Sequence, residues 1–298
     1  MRSIYLSSIG YVHGEPRRLA DLDEETFIDL AALGDEVTNY RASDLDIWQL
    51  AVAAAARTLA DSAHSPNLLV YVSENDSDST GSLALIADSL DLTAIEYMSF
   101  SGHDCGNLGP SLRVAGDALH SGRCDRVLLL LADRALARRR VMASGLSVFS
   151  DGAASCMVTQ EVPESESSQF RVDSIATRTA VQLDLADAAD KGILSTVRLA
   201  KSSVADLMKD TGRQQADFEH VLFSNYRVTS QRFLTTAIGF PQNKLLPGPV
   251  ADLAHCFSAD ILVTSDRYFA AGTLKPGQRF LASVAGPYSW STIAIECL

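Results

Sequence analysis

The sequence predicts an α/β protein made of two similar halves, each a series of βαβ units. Three observations support this. Short, continuously apolar runs such as Leu68–Ser73 (LLVYVS) and Val127–Ala132 (VLLLLA) have the length of strands buried on both faces, as parallel sheets require. Segments with helical periodicity alternate with them. After about residue 160 the order of elements starts again, an internal repeat of about 140 residues. Such a repeat implies two parallel-rich sheets with helices shared between them. The expected division is a first half over residues 1–160 and a second over 161–298.

In order, residues 3–12 read as a strand, and 14–42 as a polar, irregular stretch with an acidic patch at Asp21, Asp23, Glu24 and Glu25. A helix should start at about Ser43, a suitable N-cap, and continue through IWQLAVAAAARTLADS. Residues 80–90 should be helical, 95–100 a strand, and 106–121 a helix with Cys105 at its start. Another strand begins at Phe149. Glu161–Gln169 has the Pro, Ser and acidic composition of a linker. Beyond it the expected order is strand 170–178, helix 193–211, strand 219–224, helices 229–239 and 257–273, and strands 278–285 and 290–296.

Composition narrows the function classes. A net charge of -12 argues against nucleic acid or an anionic membrane as a partner, and an acidic carrier would need a local basic patch. The densest such patch is Arg138, Arg139 and Arg140, which also reads as a solvated turn. No run of eighteen or more apolar residues occurs, and no signal peptide is read, so the expected location is cytoplasmic. Five cysteines without CxxC or CxxH spacing suggest neither a disulfide framework nor a zinc site, and no metal or redox cofactor is expected.

A cysteine at a helix start is favoured as a thiolate by the unpaired N–H groups there, and its pKa should fall. The repeat supplies a partner. Cys105 precedes Arg126 by 21 positions and His255 precedes the matching Arg279 by 24. The two should sit at equivalent helix starts facing each other across the junction of the halves, where open α/β sheets place their active sites.

Four stretches carry a resemblance. They are Asp104-Cys105-Gly106-Asn107, with Leu112 and the Ser121-Gly122 turn; Val148-Phe149-Ser150-Asp151-Gly152-Ala153-Ala154; Leu274-Lys275-Pro276-Gly277-Gln278; and Gly286-Pro287-Tyr288-Ser289-Trp290. In this order and spacing the chain resembles, over nearly its whole length, the thiolase-fold β-ketoacyl-acyl-carrier-protein synthase III family. The resemblance implies a layered αβαβα sandwich and an acyl-enzyme mechanism. Cys105 would take an acyl group from a phosphopantetheine thioester, with the backbone N–H groups of Cys105 and Gly286 as oxyanion donors.

The sequence departs from that family where its condensing histidine should stand. The segment reads Phe223-Ser224-Asn225-Tyr226-Arg227, and the family's second polar residue falls near Cys256. Ser224 and Asn225 are secondary site candidates, but Asn225 cannot exchange protons. Instead, His255 and Asp260 resemble a subgroup from polyketide and antibiotic pathways with a Cys–His–Asp triad. There Cys105 would be nucleophile, His255 the general base for the thiol and then for the acceptor, and Asp260 its orienting acid. Asp260 also suits a helix first turn, after a Ser258 cap, for dipole reasons alone. His103 is a further candidate beside the nucleophile. Asp104 ranks below His255, because adjacent side chains usually point apart and an anion there would raise the thiol pKa.

The expected activity is acyl transfer from an acyl carrier protein or coenzyme A thioester, through acyl-S-Cys105, to a hydroxyl or amine of a small natural-product acceptor. The alternatives are a decarboxylating starter-unit ketosynthase that forms carbon–carbon bonds and a non-catalytic partner subunit of a heterodimeric synthase. Arg227 and Arg232 lie where a carrier's phosphate or acidic helix would approach. The resemblance implies a homodimer meeting along strand 95–101. Leu83, Leu85, Ile86, Met142 and Phe149 are apolar candidates for an acyl tunnel.

Overall fold

The computed structural model describes residues 2–23, 28–92, 94–136, 139–142, 144–162, 166–167, 169–180 and 188–298. Arg138, Glu24, Glu25 and part of the linker lie outside them. The strands are β1 (Ile4–His13), β2 (Glu15–Arg18), β3 (Asn39–Ala42), β4 (Leu68–Val72), β5 (Glu96–Phe100), β6 (Arg126–Asp133), β7 (Gly152–Thr159), β8 (Phe170–Thr179), β9 (His220–Phe223), β10 (Arg279–Gly286) and β11 (Ser289–Cys297). The helices are α1 (Leu30–Gly34), α2 (Ile47–Asp61), α3 (Ser79–Ser89), α4 (Leu108–His120), α5 (Ala188–Thr211), α6 (Val228–Ala237), α7 (Val250–Leu253) and α8 (Asp260–Ala270).

The repeat is visible in the sheet order, β5-β4-β6-β7-β1 in the first half and β8-β11-β10-β9 in the second. As the apolar runs require, β4 is buried along its whole length, between β5 and β6 in parallel register. The second half has four strands to the first half's five, and its counterpart of β5 is reduced to one parallel bridge, Val221 to Leu245. The halves share one ladder, because β1 and β8 pair antiparallel over Ile4–Val172, Tyr5–Arg171 and Leu6–Phe170. The expected boundary at residue 160 falls between β7 and β8.

Packing gives five layers. One apolar cluster joins α2 and α3 to one face of the first half-sheet, through Leu50, Ala54, Leu69, Tyr71 and Leu128. A second joins α5 and α6 to the outer face of the other half, through Val204, Leu207, Leu234 and Leu281. Between the half-sheets lie α4 and α8, in a cluster that takes residues from both. Helix α4 places Leu108, Leu112, Ala115 and Leu119 on this inner stripe at helical spacing. Gly109 lets the helix approach β11, since a Cβ there would lie 2.4 Å from the Ser291 Cβ.

The stretch over residues 14–42 is more ordered than its polarity suggested. It forms the β2–β3 hairpin and α1, and β2 is exposed at every position, so no apolar alternation marks it. The first long helix starts three residues later than expected. Asp46 and Gln49 form a reciprocal capping box, with the Gln49 side chain accepting from the Asp46 N–H at 2.8 Å. Ser43 instead donates its backbone N–H to Asp151.

Candidate active site

Cys105 lies in a 3-10 turn, Asp104–Gly106, that precedes α4. Its neighbour across the repeat is another such turn, Phe257–Ala259, which precedes α8. The two turns pack against each other, and the Ser258 hydroxyl donates to the Asp104 carbonyl at 3.2 Å. Ser258 is therefore a tie between the half-sites and not the cap of α8. Arg126 and Arg279 each begin the following strand, as the repeat predicts.

The backbone around these turns is strained. Asp104, Ala254 and Phe257 adopt φ of +51°, +49° and +48°, three of the five non-glycine residues with positive φ among those described. Each such conformation costs about 1–3 kcal/mol unless its surroundings compensate, and such residues concentrate at functional sites.

On the α8 side, His255 and Asp260 are buried. The Asp260 carboxylate accepts from His255 Nδ1 at 2.5 Å, and the same oxygen accepts the Asn225 N–H at 2.7 Å. Its other oxygen accepts the Cys256 N–H at 2.8 Å and the Asn225 side-chain amide at 3.1 Å. A carboxylate against Nδ1 places the imidazole proton there, leaving Nε2 with its lone pair. Nε2 is buried without a hydrogen-bond partner. The ring is held by apolar faces, with Tyr226 at 5.3 Å and Phe149 at 5.6 Å between ring centres.

On the α4 side, the Cys105 thiol does not behave as its helix-start position suggests. Burial, then the adjacent Asp104 carboxylate, pushes it well above the usual thiol range, with Asp133 and Asp260 adding to the effect. The Asp104 side chain does not point away. Its Oδ1 accepts both the Cys105 N–H at 2.8 Å and the Cys105 thiol at 3.1 Å. One expected oxyanion donor is thus occupied by a carboxylate. Glu74 braces the turn from below, accepting the Asp104 N–H at 3.2 Å and the Asn107 amide at 3.0 Å.

Gly286, the other expected oxyanion donor, ends β10 beside this turn. A Cβ there would lie 2.0 Å from the His103 carbonyl oxygen, so only glycine allows the approach. His103 stacks on Phe100 at 6.1 Å. Ser224 and Asn225 are buried, and both Ser224 Oγ and Asn225 Oδ1 lack partners. Arg232 is exposed, whereas Arg227 is half-buried at the start of α6, with a buried, unpartnered Nε. Cys256 is a buried neighbour that supplies Asp260 with an N–H.

Of the apolar tunnel candidates, only Phe149 touches the His255 ring. Leu83 and Ile86 belong to the outer cluster under α3, Met142 packs on the other outer cluster, and Leu85 is exposed. An open cleft of about 310 Å³ lies between Trp48, Asn75, Ser82 and Leu136, and neither Cys105 nor His255 lines it.

Sequence reasoning passed over Asp133, Asp151 and Tyr226. Asp133 ends β6, accepts from Ser73, Glu74 and Asn75, and is raised to about 7, chiefly by burial. Asp151 is buried and takes both terminal nitrogens of Arg140, at 3.0 and 2.8 Å. Asp151 stood within a motif already noticed. Tyr226, next to the secondary candidate Asn225, had only its proximity to signal it.

No family model matches the chain, and no curated protein matches it. Solved structures do. The chain is similar to ChlB3, described as an acyltransferase, with a TM-score of 0.84 and 17% identity over 99% of this chain and 98% of that one. It is similar to 3-oxoacyl-(acyl carrier protein) synthase III, FabH, of Pseudomonas aeruginosa, at a TM-score of 0.80 and 16% identity over 99% and 98%. Cerulenin-bound OleA of Xanthomonas campestris gives 0.81 and 13% over 99% of each chain. The fold is thus the thiolase-like one of these proteins, from end to end.

Proposed function

We propose that this chain is a ketosynthase III-like acyltransferase that carries an acyl group on Cys105 and hands it to a hydroxyl or amine. The observation that carries this reading is the buried Asp260–His255 pair, with an unpartnered Nε2, flanking a turn that packs against the turn of Cys105. A neutral imidazole oriented by a carboxylate is a general base, and a buried lone pair without a partner has a vacancy for a proton in transit.

The donor is a thioester of an acyl carrier protein or coenzyme A, and Cys105 displaces its thiol. In the second half-reaction His255 Nε2 removes the proton of the acceptor's O–H or N–H as it attacks the acyl carbon. It then returns that proton to the departing Cys105 sulfur. Gly286, fixed beside the Cys105 turn, supplies an N–H to the developing oxyanion; one such donor contributes about 3–4 kcal/mol. Decarboxylative condensation is the weaker reading, because Ser224 and Asn225 occupy the segment where that chemistry needs a proton-exchanging histidine. We place a second copy of the chain along β5, an edge strand whose Tyr97 is 48% exposed.

Intact-protein mass spectrometry with acyl thioesters tests the proposal. The parent should gain the acyl mass and Cys105→Ala should not, while His255→Ala should accumulate acyl-enzyme in the presence of acceptor. Equal labelling of Cys105→Ala would refute the acyl-cysteine. Carbon dioxide release from a malonyl donor would favour the condensing reading, and no labelling of any form the partner-subunit reading.

A further inference from the structure

Acylation begins with the removal of the Cys105 proton itself. His255 is the conventional candidate, but the thiol's hydrogen-bond acceptor is another group. Asp104 Oδ1 lies 3.1 Å from Cys105 Sγ and 2.8 Å from the Cys105 backbone nitrogen. The contact is built in. Asp104 is held at a φ of +51°, its N–H is fixed by Glu74, and its carbonyl is tied down by Ser258 and by Asn107 at 2.7 Å. Asp104 is half-buried, so its carboxylate can exchange protons with water.

Resting on the acyl-cysteine reading, we propose that Asp104 is the base of the first half-reaction and that His255 serves only the second. As Cys105 Sγ bonds to the thioester carbon, its proton passes to Asp104 Oδ1. When the tetrahedral intermediate collapses, the carbon–sulfur bond to the donor breaks and the proton passes from Asp104 to the leaving thiolate. Atoms and charge balance without a further reactant.

The same transfer addresses the occupied oxyanion donor. While Asp104 is ionised, its Oδ1 holds the Cys105 N–H in a charge-assisted bond. Once protonated it is a poorer acceptor, and the N–H is released just as negative charge develops on the substrate oxygen. The thiol therefore stays protonated and its oxyanion site stays closed until a thioester is in place.

Asp104→Asn keeps an amide oxygen for the Cys105 N–H and removes the negative charge together with the capacity to take a proton. Two rates are read on the parent and on this variant, with folding checked by circular dichroism. One is single-turnover acylation by acetyl- and octanoyl-coenzyme A, followed by mass spectrometry. The other is alkylation of Cys105 by iodoacetamide across pH. The titratable groups that act on this thiol in both proteins are Asp133, Asp260 and Tyr226; Glu74 lies on the Asp104 N–H, and His103 and His255 border the two packed turns.

The expected results run in opposite directions. Acylation should slow about a hundredfold or more. The alkylation midpoint should move to lower pH, because an anion beside the thiol has gone. Unchanged or faster acylation would overturn the assignment, and so would slowing of both reactions together, the mark of a structural role. A parent that takes up no acyl group overturns the acyl-cysteine reading and this assignment with it, whereas a labelled parent with an equally fast variant overturns the assignment alone.

Discussion

Replacing Asp260 by asparagine separates the structural from the chemical work of the buried carboxylate. The side chains are nearly isosteric, so no cavity forms. Each oxygen of Asp260 accepts two N–H donors, His255 Nδ1 and the Asn225 N–H on one side, the Cys256 N–H and the Asn225 amide on the other. An asparagine has one accepting oxygen, so in either orientation its NH₂ faces two donors and one backbone N–H loses its partner. At about 1–3 kcal/mol for each of the two buried donors left facing the NH₂, the variant should lose about 2–6 kcal/mol, read from the urea midpoint at unchanged slope. With the NH₂ toward His255, the imidazole proton moves to Nε2 and the base is lost. Release of the acyl group to acceptor should then fall by orders of magnitude, while Cys105 acylation survives in whatever fraction remains folded. A loss below about 0.5 kcal/mol with normal deacylation would refute both the hydrogen-bond accounting and the role of the pair.

Three further outcomes follow. Asp133, raised from 3.8 to about 7 by burial, keeps its proton in the fold where the unfolded chain has lost it; its contribution is full below pH 3.8 and lost as pH rises to 7. Asp133→Asn removes that dependence, so its stability relative to the parent should rise by up to about 4 kcal/mol between pH 4 and 7, measured by urea titration at each pH. Asp151→Ala takes the carboxylate from the half-buried Arg140 guanidinium, which keeps the Arg41 and Phe149 carbonyls, and leaves the Ser43 and Ala135 N–H groups without their acceptor; it should cost about 3–5 kcal/mol in the same assay. Gly286→Ala drives a methyl into the His103 carbonyl and should cost about 1–3 kcal/mol, with a larger proportional loss of acylation if the displaced segment carries the proposed oxyanion donor.

The fold was legible where burial writes a period into the sequence. β4 and β6 are apolar because both faces are covered, and α4 shows its inner stripe at three- and four-residue spacing. The β2–β3 hairpin was not legible, since its exposed residues are held by main-chain pairing that side chains do not record. The repeat singled out Cys105 and His255 and the resemblance added Asp260; the structure joins His255 to Asp260 and packs the turn between them against that of Cys105. The state of the thiol was missed. A helix start argues for a lowered pKa, but burial and a carboxylate at 3.1 Å act in the opposite sense and more strongly. That contact accompanies a left-handed φ at Asp104, which Asn107 holds locally and Glu74 and Ser258 hold from distant parts of the chain that local spacing does not encode.

All five cysteines are free and buried, and in each burial raises the thiol. Peroxide oxidises thiolates far faster than thiols, and the first product, a sulfenic acid, would end the proposed acyl transfer at Cys105. A nucleophile kept protonated at rest is shielded from that chemistry. In the proposed cycle the sulfur is anionic only while a thioester covers it or an acyl group is leaving it. Oxidative inactivation should therefore accrue with the number of turnovers and little with hours of storage.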